Sequence, residues 1–313
     1  MNMNWQPSAT VDALKKRAEI LRTLRDFFYH RHITEVETPL LCVAGTTDAY
    51  LDSITAAINH EIRYLQTSPE YAMKRLLAAG IGDCYQICKA FRCDESGRYH
   101  NPEFTMLEWY RLNFDHHQLM NDMDALLQTI LKCLPATRIS YQQLFLEHLN
   151  IDPHQASIND LKSIAPELCA ALNAETDTKD DYLMLLLSHL IEPKIGFDRP
   201  CFIYDYPASQ AALSKIQNNV AERFEVYVNG IELANGFHEL QSADEQRKRF
   251  LHDNEKRKQL KKLEVPIDQR LLDALQNGLP ACAGVALGVD RLIMLALQKN
   301  NLQEVLSFNI NSI

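Results

Sequence analysis

Phe91-Arg92-Cys93-Asp94-Glu95-Ser96-Gly97-Arg98-Tyr99-His100-Asn101-Pro102-Glu103-Phe104-Thr105-Met106-Leu107-Glu108-Trp109-Tyr110 is the stretch from which the fold can be read. It spells the end of one strand, a charged loop and a second strand. The first strand runs from Asp83 to Arg92, with Tyr85, Ile87 and Phe91 apolar or aromatic. The return strand begins after Pro102, whose fixed φ and missing N–H suit a strand entrance. Side chains alternate along a strand, so Phe104, Met106, Glu108 and Tyr110 share one face. An ionised carboxylate on such a face is expensive to bury alone, so Glu108 is either solvated or matched to a cation.

Upstream, Val11 to about His32 has the three-to-four-residue apolar spacing of a helix. Ile33 to Leu41 is extended, and Pro39 within it belongs at an edge or an interface. Ser68 is expected to cap a helix with Pro69 at its first position, ending near Ala79 with Gly80 as the stop. In its first turn Glu70 complements the helix dipole.

Downstream, helices are expected over His116 to Leu134, Tyr141 to Leu149, Ile158 to Leu172 and Asp180 to Ile191. The mostly helical span from about 135 to 193 lies between sheet-forming segments and reads as an insertion into a single domain covering 1–313. Cys201 to Pro207 is a strand, and Arg223 to Leu233 a hairpin with an Asn-Gly turn. Its arms carry Glu225 and Glu232. Facing carboxylates repel unless a cation lies between them, so they are either a magnesium–phosphate site or two solvated edge residues. Glu232 and Glu239 have opposite parity, and only a bulge at Asn235-Gly236 would aim both to one side. Ser242 to Glu245 is a capping box opening a strongly basic helix, most of it a solvated face and at best a docking surface for an acidic partner. Pro266 to Gln276 is a further helix, and Ala283 to Arg291 is a small-residue strand running into an apolar one.

The net charge of −9 argues against a broad nucleic-acid-binding surface. Met1 to Thr10 lack the features of a signal peptide, and no apolar run is long enough to span a bilayer. A cytoplasmic chain is the expectation, and its eight cysteines should be reduced thiols. Cys84, Cys88 and Cys93 with His100 do not have a standard zinc spacing, and three separate thiols is the favoured reading.

Taken together, Glu35 to Leu40, Phe91 through Phe104 and Gly284 through Arg291 resemble, in order, motifs 1, 2 and 3 of the class II aminoacyl-tRNA synthetases. Thr67 to Glu70, His100 to Glu108, Arg223 to Glu225 and Asn235 to Leu240 are similar to lysyl-tRNA synthetase in particular. The resemblance implies an α+β catalytic core, an antiparallel sheet flanked by helices, working as a homodimer through motif 1. Two departures are informative. Motif 1 begins at Glu35, leaving no room for an anticodon-binding barrel, which needs on the order of 100 residues. Ala286 stands where the tRNA synthetases have glycine, and the added methyl should disfavour their substrate by ~1–3 kcal/mol. Both departures, with Ser209-Gln210-Ala211, resemble the truncated lysyl-tRNA synthetase paralogues that attach (R)-β-lysine to a lysine of translation elongation factor P.

That resemblance implies ATP and Mg2+ as cofactors and assigns roles by position. Arg92 holds the α-phosphate and Phe104 stacks on adenine. Asp94, where the family has glutamate, joins Asn101, Leu233 and Gly288 in the nucleotide contacts. His100 and Arg291 face the outer phosphates, and Arg92 and Arg291 are the catalytic pair. Glu225 and Glu232 hold magnesium, Glu232 also contacting the nucleotide. Glu108, Tyr110 and Glu239 meet the substrate's distal ammonium, Ser68 and Glu70 its other amine, and Ala286 selects its shape. The alternatives are a minimal enzyme charging tRNA, an asparagine-synthetase-like ligase, and a regulatory paralogue that binds ligand without turnover.

Overall fold

The computed structural model describes residues 5–93, 95–170, 172 and 177–312. The chain divides into two compact units, Met1–Phe114 with Leu240–Ile313, and Asp115–Glu239.

In the first unit the expected hairpin forms. Cys84–Phe91 and Glu103–Leu112 pair antiparallel, with Gln86 opposite Glu108 and Ala90 opposite Phe104. Cys282–Gly288 adds antiparallel beyond Glu103–Leu112, placing Ala286 opposite Glu108 and Gly284 opposite Tyr110. On the other edge Thr34–Glu35 pairs parallel with Cys84 and Tyr85. Of the extended segment Ile33 to Leu41, only those two residues join this sheet. Pro39 has no N–H to give to a ladder and lies outside any strand.

Alternation then divides the sheet into two faces. One carries Tyr85, Leu107, Trp109, Val285 and Leu287, all buried. The helix Val11–Tyr29 covers it, capped by the Thr10 hydroxyl. Phe28 stacks on Tyr85 at 4.3 Å between centroids and meets Trp109 edge-on at 5.3 Å. The opposite face carries Glu108, Tyr110 and Ala286.

Three helix boundaries in this unit differ from expectation. The helix Glu70–Ala78 has Pro69, not Ser68, at its cap position. The Ser68 hydroxyl still accepts the Glu70 N–H, at 3.1 Å. After Ala79 the chain leaves through Gly80 at φ +90°, a conformation open to glycine at no steric cost. The helix Ala243–Gln259 is capped by Ser242, but the reciprocal half of the box is missing because Glu245 pairs with Arg249 at 3.2 Å. The helix Gln269–Gly278 begins later than Pro266, where Asp268 accepts the Leu271 N–H.

Part of the basic run is bound inside this unit. Arg257, 4% exposed, binds Asp52 at 2.7 Å and the Asp48 and Leu263 carbonyls at 2.8 Å. Lys262 also reaches Asp52, and Lys258 pairs with Glu264. Less of the run therefore remains to meet a partner.

The second unit has the strand order Ile231–His238, Val220–Val228, Cys201–Pro207, Thr137–Ser140, the last pair parallel. Asn229 and Gly230 make the hairpin turn at φ 52° and 70°, the left-handed pair that a two-residue loop requires. The helices Tyr141–Leu149, Ile158–Ile164, Pro166–Cys169 and Lys179–Leu186 pack onto these strands. Tyr141, Phe145, Leu161, Tyr182 and Leu186 share a core with Ile203, Tyr206 and Tyr227. Pro166 splits the helix expected over Ile158 to Leu172, and Leu187–Ile191 continues from Leu186 as a wider π turn.

Candidate active site

On the other face of the first unit's sheet, Glu108 is 2% exposed. Its carboxylate accepts the Ser68 hydroxyl and the Tyr110 phenol, each at 2.6 Å. Burial is the largest influence on this carboxyl, followed by the Glu70 charge, and its pKa is pushed up to about 7. Lys74, a buried cation, donates to Glu70 at 2.5 Å. Ser68, Glu70, Glu108 and Tyr110 are thus brought together, and the solvated reading of Glu108 is ruled out. Gln86 and Ala286 flank Glu108 across the two neighbouring strands. Directly opposed side chains lie roughly 5 Å apart on one face, so the Ala286 methyl borders the carboxylate. Cys84 and Cys88 share that face, and burial together with nearby carboxylates raises both thiols to about 12. They are inert thiols, and among the described residues no metal-competent group contains a cysteine.

The motif 2 residues expected to meet the nucleotide lie at the hairpin's other end. Arg92 sits over the Phe104 ring at 5.2 Å and reaches Glu95 at 3.4 Å. Arg291 donates to the Tyr99 carbonyl at 3.1 Å and lies 2.6 Å from His100 Nε2. Burial and then that guanidinium lower the His100 pKa, so its ring is neutral and can accept from Arg291. Asn101 is engaged within the chain, donating to the Glu103 carbonyl at 2.6 Å and accepting the Ile310 N–H at 3.1 Å. Gly288 ends its strand half-exposed, as does Ala286 two residues before it. Asp94 lies outside the described residues.

In the second unit Glu225 is buried and already matched. It accepts from Tyr206 and Tyr227 at 2.7 Å and pairs with Arg223. Glu232 lies opposite Tyr227, and Asn235 opposite Glu225. The register shifts between Val226 and Tyr227, so the extra residue in the facing arm is Leu233, which is buried. A bulge therefore exists, but before Asn235-Gly236 rather than at it. It brings Glu232 onto the face of Asn235 and, by alternation, of Glu239. Glu225 and Glu232 both raise the Tyr227 phenol and the Arg223 guanidinium pKa, which places the two carboxylates in one electrostatic neighbourhood. Glu239 is buried and bridges to Ser214.

Further residues support the site. Lys74 stands one helical turn after Glu70, the spacing at which side chains on one helix face meet. Arg17 reaches Asp290 at 2.6 Å and the Thr105 hydroxyl at 3.0 Å, while Asp290 accepts the Thr105 N–H at 2.7 Å. This buried network fixes the strand between Phe104 and Glu108 to the helix that carries Arg291. Nothing local announces a contact between residues so far apart in the chain.

Comparison with known proteins points to one family. The elongation factor P–(R)-β-lysine ligase of Photobacterium profundum is 51% identical over 321 residues, covering 99% of each chain. The proteins of that name from Vibrio cholerae and Histophilus somni are each 52% identical, covering 98% and 99% of each chain respectively. The family model for class II tRNA synthetases (D, K and N) matches residues 3–312, and the chain belongs to that family.

Proposed function

We propose that this protein activates (R)-β-lysine with ATP and transfers it to the ε-amine of a lysine on translation elongation factor P. ATP use follows from the family. The substrate carboxylate attacks the α-phosphorus, pyrophosphate leaves, and the acceptor amine then displaces AMP from the adenylate carbonyl. Such chemistry needs positioning and charge stabilisation more than a covalent nucleophile. Arg92 serves the α-phosphate, Phe104 the adenine ring, and His100 with Arg291 the outer phosphates.

The observation that carries the reading is Glu108. A buried carboxyl with a pKa of about 7, held by two hydroxyls, is poised to ionise when an ammonium arrives beside it. Ala286 borders it and narrows the space for the substrate chain. Ser68 and Glu70 complete the amine recognition on this unit, and Glu239 contributes a further carboxylate.

For magnesium, the donors fit in type, since hard cations take carboxylate oxygens. Glu225 and Glu232 would hold the ion together, Glu225 being the member bonded to Arg223 and two phenols. The ion would neutralise phosphate charge. The working form is a homodimer in the cytoplasm. In support, Thr38 and Pro39 of motif 1 line a cavity of about 570 Å³, Leu40 and Leu41 are exposed, and no described helix is long and apolar enough to cross a membrane.

The test offers radiolabelled (R)-β-lysine and ATP with elongation factor P and tRNA in one mixture. Label on the protein supports the reading; label on tRNA, sparing the protein, replaces it with the tRNA-charging alternative.

A further inference from the structure

The second unit gathers His116, His117, Asp205, Glu222 and His238, none of which has a role in the chemistry above. They come from four elements. His116 and His117 open the helix His116–Leu131. Asp205 lies in the strand Cys201–Pro207 at φ 57°, a left-handed conformation that costs a non-glycine residue energy. There the pairing with Val220–Val228 shifts between Ala221 and Phe224, setting Glu222 and Arg223 against the single residue Asp205. Bulges of this kind re-aim side chains. Arg223 pairs with Phe237, which sets Glu222 beside His238 at the end of the neighbouring strand.

Each carboxylate holds one imidazole. Asp205 Oδ1 lies 3.1 Å from His116 Nε2, and Glu222 Oε2 lies 2.6 Å from His238 Nδ1. Asp205, by fixing His116 through Nε2, sets its tautomer and leaves Nδ1 a lone pair, the arrangement that surrounds metal-bound histidines. Glu222 and His238 Nδ1 instead face one another as two ligand atoms that a cation can join in place of the shared proton. His116 is only 4% exposed, and its Nδ1 has no hydrogen-bond partner among the described residues. One donor atom from each of His116, Glu222 and His238 lies within 4.8 Å of the others.

We infer that His116, Glu222 and His238 form a zinc-type transition-metal site, with Asp205 as the outer partner of His116. Two imidazoles and one carboxylate make a three-ligand zinc set with a fourth position for water. Magnesium, which prefers oxygen ligands in an octahedron, is disfavoured by the two nitrogens. A bound cation supplies the partner that His116 Nδ1 lacks among the described residues. It also ties the start of the helix His116–Leu131 to the two strands that carry Glu225 and Glu232, so its effect is on the rigidity of that hairpin.

The test uses the full chain, stripped with a chelator, then titrated with zinc chloride by calorimetry and crystallised with one equivalent of zinc. One tight equivalent is expected, with a melting temperature that rises on addition. The anomalous map should show a peak about 2.0–2.1 Å from nitrogens of His116 and His238. His116→Ala and His238→Ala should each weaken zinc binding at least tenfold, and Asp205→Asn about tenfold through loss of the outer hydrogen bond. The exposed thiol of Cys93 is a competing ligand, so the titration is repeated in Cys93→Ser with the same result expected. A peak on a cysteine instead, no peak at one equivalent, or unchanged affinity in folded histidine variants would overturn the inference. Should those variants fail to fold, the wild-type anomalous map decides alone.

Discussion

Replacing Glu108 by glutamine should make the ligand-free protein more stable at alkaline pH. The carboxyl titrates near 4.5 when unfolded and at about 7 when folded, chiefly because it is buried and next because Glu70 stands nearby. Ser68, Tyr110 and Lys74 pull the other way and only partly offset this. A folded-state pKa that is raised means the native protein holds the proton more tightly. The associated stability is complete below the unfolded pKa and is lost as pH rises to about 7. At about 1.4 kcal/mol per pH unit, that gap corresponds to about 3 kcal/mol. Glu108→Gln keeps the shape and can bond both hydroxyls, yet has no charge to bury. Urea denaturation of wild type and variant at pH 5 and pH 8 is the assay. The difference should move in the variant's favour by about 2.5 kcal/mol between the two pH values, because pH 5 already lies above the unfolded-state pKa. A difference that does not change with pH would mean that Glu108 is ionised throughout, and the reasoning about its poised charge would fail. The same variant should bind the diamine substrate more weakly, with an apparent affinity that no longer improves as pH rises through 7.

Ala286→Gly removes the methyl that borders Glu108 and should improve activation of α-lysine relative to (R)-β-lysine, by roughly 5- to 150-fold for ~1–3 kcal/mol; an unchanged ratio in pyrophosphate exchange would remove Ala286 as the selector. Arg17→Ala strands the Asp290 carboxylate, 3% exposed in its side chain, and should cost about 3 kcal/mol in urea. Adding Asp290→Asn should restore part of that loss, whereas additive losses would show that the pair does not couple. Gly230→Ala puts a side chain at φ 70°, with its Cβ 3.0 Å from the Glu192 carbonyl oxygen. It should destabilise by more than about 1 kcal/mol, read as a lower melting temperature.

Much of this fold was legible because local chemistry and tertiary structure agree. Pro102 marks the start of the return strand, Asn229-Gly230 makes the turn it spells, and the apolar alternation around Trp109 matches the face that Phe28 covers. The misplaced features are those decided by side-chain competition at a distance. Glu245 abandons its capping box for Arg249, and the bulge falls at Leu233, where parity could announce an irregularity but not its position. At the site, the sequence identified Glu108 as needing an explanation, and the partner it first meets is a pair of hydroxyls. Lys74 already occupies the role of cation to Glu70. Arg17 and Asp290 were invisible because their contact joins distant parts of the chain, where neither periodicity nor spacing carries information.

This pocket should activate (R)-β-lysine in preference to α-lysine for transfer to a protein. ATP–pyrophosphate exchange with the two isomers side by side, followed by addition of elongation factor P, tests it most directly. Faster exchange with (R)-β-lysine and a mass increase on one lysine of the factor are expected. Equal or faster exchange with α-lysine, or an adenylate that never reaches the factor, would contradict it.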